Sequence, residues 1–143
     1  MATLTLEEIA GEMKDIDVCM LGTLSAAGDY QSRPMSNNRQ VEYEGNSYFF
    51  ANGGCSAVRD IQAHPGVMMA FVKEHTLIGK NLYLSVTGVG SVTTDEGELK
   101  KHWTKDVALY FEKGIDTPGL TLIRVKATKI RWWKGMENGV VQV

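Results

Sequence analysis

Between Val18 and Asn37 the chain reads "VCMLGTL", then "SAAGD", then "YQSRPMSN". This is a strand near Val18–Leu24, a turn at Ala26–Asp29 and a returning strand, with Gly28 free to take a positive φ at the turn. So short a connection makes the pair antiparallel, because parallel strands need a crossover of about a dozen residues or more. The same economy recurs in "QVEYEGNSYFFAN", which predicts a second hairpin around Glu44-Gly45-Asn46. Its strands carry Val41, Tyr43, Tyr48, Phe49 and Phe50.

Three further segments read as strands. "VMMAFV" is short and buried. "LYLSVTGVGSVTT" is long, and Gly88 and Gly90 inside it mark a bulge or a barrel corner. In "LTLIRVKATKIRWW", Ile123, Val125 and Ala127 share one parity, whereas Ile130 and Trp132 share the other. A flip near Thr128 requires a bulge or bend there. A turn at Gly135–Gly139 and a short "VVQV" strand finish the chain.

Helical signals are fewer. Thr5-Leu6-Glu7-Glu8 is a capping box, followed by Leu6, Ile9, Ala10, Met13 and Ile16 at helical spacing. "GGCSAVRDIQAHPG" is a loop and a short helix, with Ser56 as the expected N-cap and Pro65-Gly66 as the stop. Thr94 or Asp95 caps a third helix, whose stripe is Leu99, Trp103, Val107, Tyr110 and Phe111. Hairpin-joined strands with three short helices and no long crossovers predict a mainly β protein, an antiparallel barrel of six or seven strands. Closure of the barrel would remove exposed edges.

Composition narrows the functional classes. The 143 residues suggest a single domain over 1–143, large enough to bury roughly two-thirds of its unfolded surface. Fifteen basic and 17 acidic residues give a net charge of -2, which argues against a nucleic-acid partner. No apolar run reaches the roughly 18 residues of a membrane span. "MATLTLEEIAGEMKD" is acidic and amphipathic, unlike a signal peptide. Cys19 and Cys55 show neither metal-ligand spacing nor a disulfide framework, so a cytoplasmic, reduced protein is expected.

His64, His75 and His102 lie on separate elements, with no metal-binding spacing among them. Nucleophile elbow, Walker loop and dinucleotide fingerprint are all missing. "GVGSVTT" precedes no glycine-lysine pair and reads as a strand. Chemistry carried by a cofactor therefore fits better than catalysis by side chains alone.

An anion site can be assembled from separate pieces. The fork of Arg33 suits a phosphate bidentately. A helix start at Ser56 offers free N–H groups and a positive dipole end. Arg59, three residues further, leans back toward that end. The alternative, two solvated surface arginines, stays open on these grounds. Pro34 cannot donate to a ladder and marks a strand edge or an interrupted pairing, where free backbone groups can read a planar heterocycle. An edge proline that only prevents aggregation is the competing reading. Met35 offers a soft apolar contact. Trp132 and Trp133 must face opposite sides of their strand, as must Phe49 and Phe50. Trp103 reads as core or interface, and Cys55 as a loop thiol beside a helix start.

Taken in order, "MLGTLSAAGDYQSRPM", "YFFANGGCSAVRDIQAHPGVMMAF", "LYLSVTGVGSVTTD", "HW", "FEKGIDTPGLTLIRVKATKIRWW" and "KGMENGVV" resemble the FMN-binding split-barrel family related to pyridoxamine 5′-phosphate oxidase. More narrowly, they resemble its general stress protein branch. The resemblance spans about Leu6 to Val140. It implies a split β-barrel and a homodimer with FMN at the subunit interface. It further implies that Ser32, Arg33, Pro34, Met35 and Ser36 bind the phosphate and the flavin edge. Phe50 and Ala51 would line the flavin, Cys55, Ser56 and nearby residues would hold the phosphate, and Trp103 would approach from the partner subunit.

Three departures bear on function. Ala57 stands where the family commonly has lysine, with Arg59 as the replacement the geometry allows. Ala51 stands where threonine is usual. The chain ends in "KGMENGVVQV", without the arginine- and histidine-bearing segment that grips the oxidase's substrate, so pyridoxamine phosphate oxidation is not expected. The expected function is that of a stress-related FMN oxidoreductase, serving NAD(P)H or a small-molecule acceptor. The alternatives are a flavin store or sensor, a split barrel that uses a deazaflavin or haem, and a dimer without ligand.

Overall fold

A computed structural model of the chain describes residues 3–37, 43–74 and 79–143. Among the described residues, seven antiparallel strands form one sheet: β1 (Val18–Leu24), β2 (Tyr30–Ser36), β3 (Asn46–Asn52), β4 (Gly66–Lys73), β5 (Leu82–Thr93), β6 (Leu120–Lys134) and β7 (Glu137–Gln142). They run in the order β2-β1-β4-β5-β6-β3, with β7 also on β6. The long β6 carries β3 along Leu120–Lys126 and β7 along Lys129–Lys134. β2 and β3 are the two ends of this order, which makes the fold a split barrel.

Local chemistry explains the elements. The capping box forms: Thr5 Oγ1 accepts from Glu8 N at 3.2 Å, and Glu8 Oε1 accepts from Thr5 N at 3.3 Å. It opens α1 (Leu6–Met13), which buries Ile9, Ala10 and Met13. Ile16 is buried just beyond the helix end. The first hairpin turns at Gly28, whose φ is 91°. The parity flip in β6 is a bulge: Thr87 faces Lys129 and Gly88 faces Ala127, so Thr128 has no opposite number. Its hydroxyl donates instead to the Thr87 carbonyl at 3.1 Å. Gly88 is needed there, since a Cβ would lie 2.6 Å from the Lys126 carbonyl oxygen.

Several expectations change. Cys55, not Ser56, is the N-cap of α2 (Ser56–Ala63), and it makes no side-chain capping bond. The predicted third helix is two, α3 (Glu96–His102) and α4 (Lys105–Ala108), because Trp103 between them is extended. Its ring is drawn onto Phe50, and this packing outweighs the helical periodicity. A 3-10 turn at Gly114–Asp116 follows. β7 starts at Glu137 rather than near Val140, because the turn is tighter than expected: Lys134 pairs with Glu137 across Gly135-Met136, and Gly135 takes a φ of 62°. In the second predicted hairpin, Tyr43 is described but lies in no strand, and Val41 falls outside the described residues.

The barrel interior is one apolar cluster that includes Ile9, Leu21, Phe71, Val86, Ile123 and Trp132. Each such side chain contributes about 1.5–3 kcal/mol through burial. Cys19 belongs to this cluster, and burial pushes its thiol up to about 12. It is a protonated core side chain. A smaller cluster of Leu99, Leu120 and Leu122, with Trp103 and Phe111 against it, seats α3 on the sheet.

Candidate functional site

The split between β2 and β3 contains a hollow. Pro34, Met35 and Ser36 line it from β2, Tyr48, Phe49 and Phe50 from β3, and Asp106, Val107, Tyr110 and Phe111 from the segment around α4. Its volume is about 230 Å³. Pro34 is in register opposite Met20, and the β1–β2 pairing is unbroken from Val18–Ser36 to Leu24–Tyr30. The proline therefore marks an edge and not an interruption. That edge borders the hollow, where backbone groups are not committed to a neighbouring strand among the described residues.

Trp103 meets Phe50 edge-on, with ring centroids 5.2 Å apart, and Phe111 at 6.3 Å. Within one chain it already braces the β3 wall. Tyr48 stacks on His102 at 3.7 Å. Burial lowers the His102 pKa, and Glu98, 3.6 Å away, works against that shift.

Arg33, the residue before Pro34 on β2, belongs to a polar cluster that reaches the start of α2. Arg33 Nη1 donates to the Leu21 carbonyl at 3.2 Å and to Thr23 Oγ1 at 2.6 Å. Nη2 has only long contacts, 3.4 Å to Ser56 Oγ and 3.5 Å to Asp60 Oδ2. The Thr23 hydroxyl donates to Asp60 Oδ2 at 2.7 Å, so it links carboxylate and guanidinium. Arg33 is thus neither a free surface charge nor fully sequestered: its side chain is 19% exposed and that of Asp60 6%.

The first turn of α2 lies beside this cluster. Its backbone N–H groups receive no side-chain cap, and the dipole adds roughly half a positive charge. Arg59 turns back toward the helix start, where Nη1 donates to the Gly54 carbonyl at 2.6 Å. The two arginines therefore reach the start of α2 from different elements.

Most of the predicted residues converge, but not all. Arg33, Ser56 and Arg59 gather at the α2 start, with Cys55 as its N-cap. Pro34, Met35, Ser36 and Phe50 line the hollow. Ala51 packs into the barrel core instead. Ser32 lines a different hollow, with Gly22, Met68 and Thr87, because it lies toward the hairpin end of β2, away from the Pro34–Ser36 stretch. Sequence reasoning missed Thr23 and Asp60, both buried. One signal was present: Asp60 follows Ala57 by three residues and precedes Ile61, which puts it on the apolar face of its helix.

A family model described as "Pyridoxamine 5'-phosphate oxidase like" matches residues 5–143. No curated protein matches the chain. Among solved structures, a protein related to general stress protein 26 from Clostridium acetobutylicum superimposes with a TM-score of 0.79 at 17% identity, covering 95% of this chain and 92% of that one. General stress protein 26 from Bacillus anthracis gives 0.75 at 16%, covering 98% and 100%. A heme binding protein from Mycobacterium smegmatis gives 0.73 at 16%, covering 99% of this chain and 60% of the other. At such identities the superpositions establish the fold alone.

Proposed function

Since the chain belongs to the pyridoxamine 5′-phosphate oxidase-like family, we propose that it binds FMN and acts as an oxidoreductase toward a small acceptor. The observation that carries this reading is the adjacency of two unlike surfaces. An aromatic hollow at the barrel split lies beside an arginine and an uncapped helix start. A ring system with a phosphate tail needs both at once.

The residues fit that ligand. Met35 and Phe50 would pack on the flavin, and the free backbone along the Pro34 edge would read its polar rim. Arg33 Nη2 and the first-turn N–H groups of α2 would hold the phosphate, with Arg59 in place of the family lysine at Ala57. When bound, FMN would supply the redox chemistry, electron or hydride exchange between a reductant such as NAD(P)H and a small acceptor. The protein positions the ring and shields it; no side-chain acid or base is required.

A second copy of the chain would complete the site. A hollow of about 230 Å³ is below the range of about 300–1,000 Å³ that encloses a ligand of this size. The outer face of the sheet offers a dimer surface: Met20, Met68, Val72, Tyr83 and Trp133 are exposed on four neighbouring strands. Large exposed apolar faces mark contact surfaces.

Haem is the second reading, favoured by the Mycobacterium smegmatis relative's description as a heme binding protein. The absorption spectrum decides. FMN gives yellow protein whose visible bands bleach when NADH or NADPH is mixed in anaerobically. A Soret band indicates haem instead. Yellow protein that neither nicotinamide reduces points to a flavin store or sensor.

A further inference from the structure

We infer that Asp60 sets the charge of the anion site, and so sets how strongly the protein prefers a phosphorylated ligand over its unphosphorylated parent. The inference rests on the FMN reading above and concerns a residue outside the family-derived contacts. Asp60 is 5% exposed, yet it lies at the one place where an incoming phosphate needs positive charge. Its Oδ2 is 3.5 Å from Arg33 Nη2, the amino group that faces Ser56 at the start of α2.

The charges can be counted. Arg33 and Arg59 supply one positive charge each, and the α2 dipole adds roughly one half. Asp60 removes one, which leaves about one and a half against the roughly 1.5 to 2 negative charges of a phosphate monoester at neutral pH. A buried carboxylate is weakly screened by solvent, so its repulsion of the phosphate is felt at short range.

Position and charge are separable here. Arg33 is held mainly through Nη1, by the Leu21 carbonyl and Thr23 Oγ1. Thr23 Oγ1 donates to Asp60 Oδ2. An asparagine at position 60 keeps an oxygen for that hydroxyl while it removes the charge. The clamp on Arg33 survives, and the field at the phosphate rises.

The test is a pair of binding titrations, FMN and riboflavin, on the wild-type protein and on Asp60→Asn, followed by flavin fluorescence. Asp60→Asn is expected to bind FMN about tenfold more tightly. Riboflavin, which has no phosphate, should bind both proteins alike. The FMN gain should shrink as salt is added. Asp60→Ser removes the same charge and repeats the test if the amide does not pack. Unchanged or weaker FMN binding by a folded neutral variant overturns the inference and leaves the FMN reading standing. Equal gains for both ligands also overturn it. Failure of both variants to fold makes Asp60 a structural residue and overturns it too. Wild-type and variant proteins that bind neither ligand overturn the inference together with the FMN reading.

Discussion

Arg33 divides its two amino groups between two tasks. Nη1 is saturated by the Leu21 carbonyl and Thr23, which fixes the side chain. Nη2 has partners only at 3.4 and 3.5 Å, which leaves it able to donate to an anion. Replacing Arg33 with alanine should weaken FMN binding by about 1.5–3 kcal/mol, the worth of a charge-assisted hydrogen bond. Fluorescence titration measures this, and unchanged affinity contradicts the phosphate assignment. The melting temperature of Arg33→Ala should also fall, because Asp60 is left buried without its cation. The arginine was legible in the sequence because a long cation beside a proline is odd in a strand. Asp60 was not, since an acidic residue in a short helix ordinarily faces water. Its place on the apolar face of α2 was the one local signal, and its contact with Thr23, 37 residues earlier, supplies the partner that burial requires.

At the level of elements, the bulge between β5 and β6 is the clearest case of sequence dictating shape. Gly88 and Thr128 form it together, and β6 changes its buried parity there. Gly88→Ala should cost about 1–3 kcal/mol through overpacking against the Lys126 carbonyl. Gly11→Ala is the control: nothing lies within 4 Å of its added Cβ, and it should stabilise α1 by roughly 0.5–1 kcal/mol. Denaturant unfolding measures both, and equal effects would contradict the account of the bulge. Capping box, hairpin turn and parity flip were all readable because each is decided within a few residues. The break at Trp103 was not, since its cause is Phe50, a residue more than fifty positions earlier that no local window contains. The same limit hid the pairing of β3 with β6, although both strands were recognised.

For the whole molecule, the central claim is that one chain builds half a flavin site and a second copy completes it. The exposed apolar face across β1, β4, β5 and β6 has Met68 near its centre, in register with Gly22 on one side and Thr87 on the other. A charge there should be incompatible with burial in an interface. Met68→Glu is therefore expected to sediment as a monomer and to bind FMN more weakly, although the substitution lies outside the hollow. No helix among the described residues is long and apolar enough to cross a membrane. The most direct measurement is the binding stoichiometry of FMN on wild-type protein whose oligomeric state is read in the same sample by analytical ultracentrifugation. The account predicts a dimer that saturates with one FMN per chain. A monomer that binds FMN fully, or a dimer that takes up none, would contradict it.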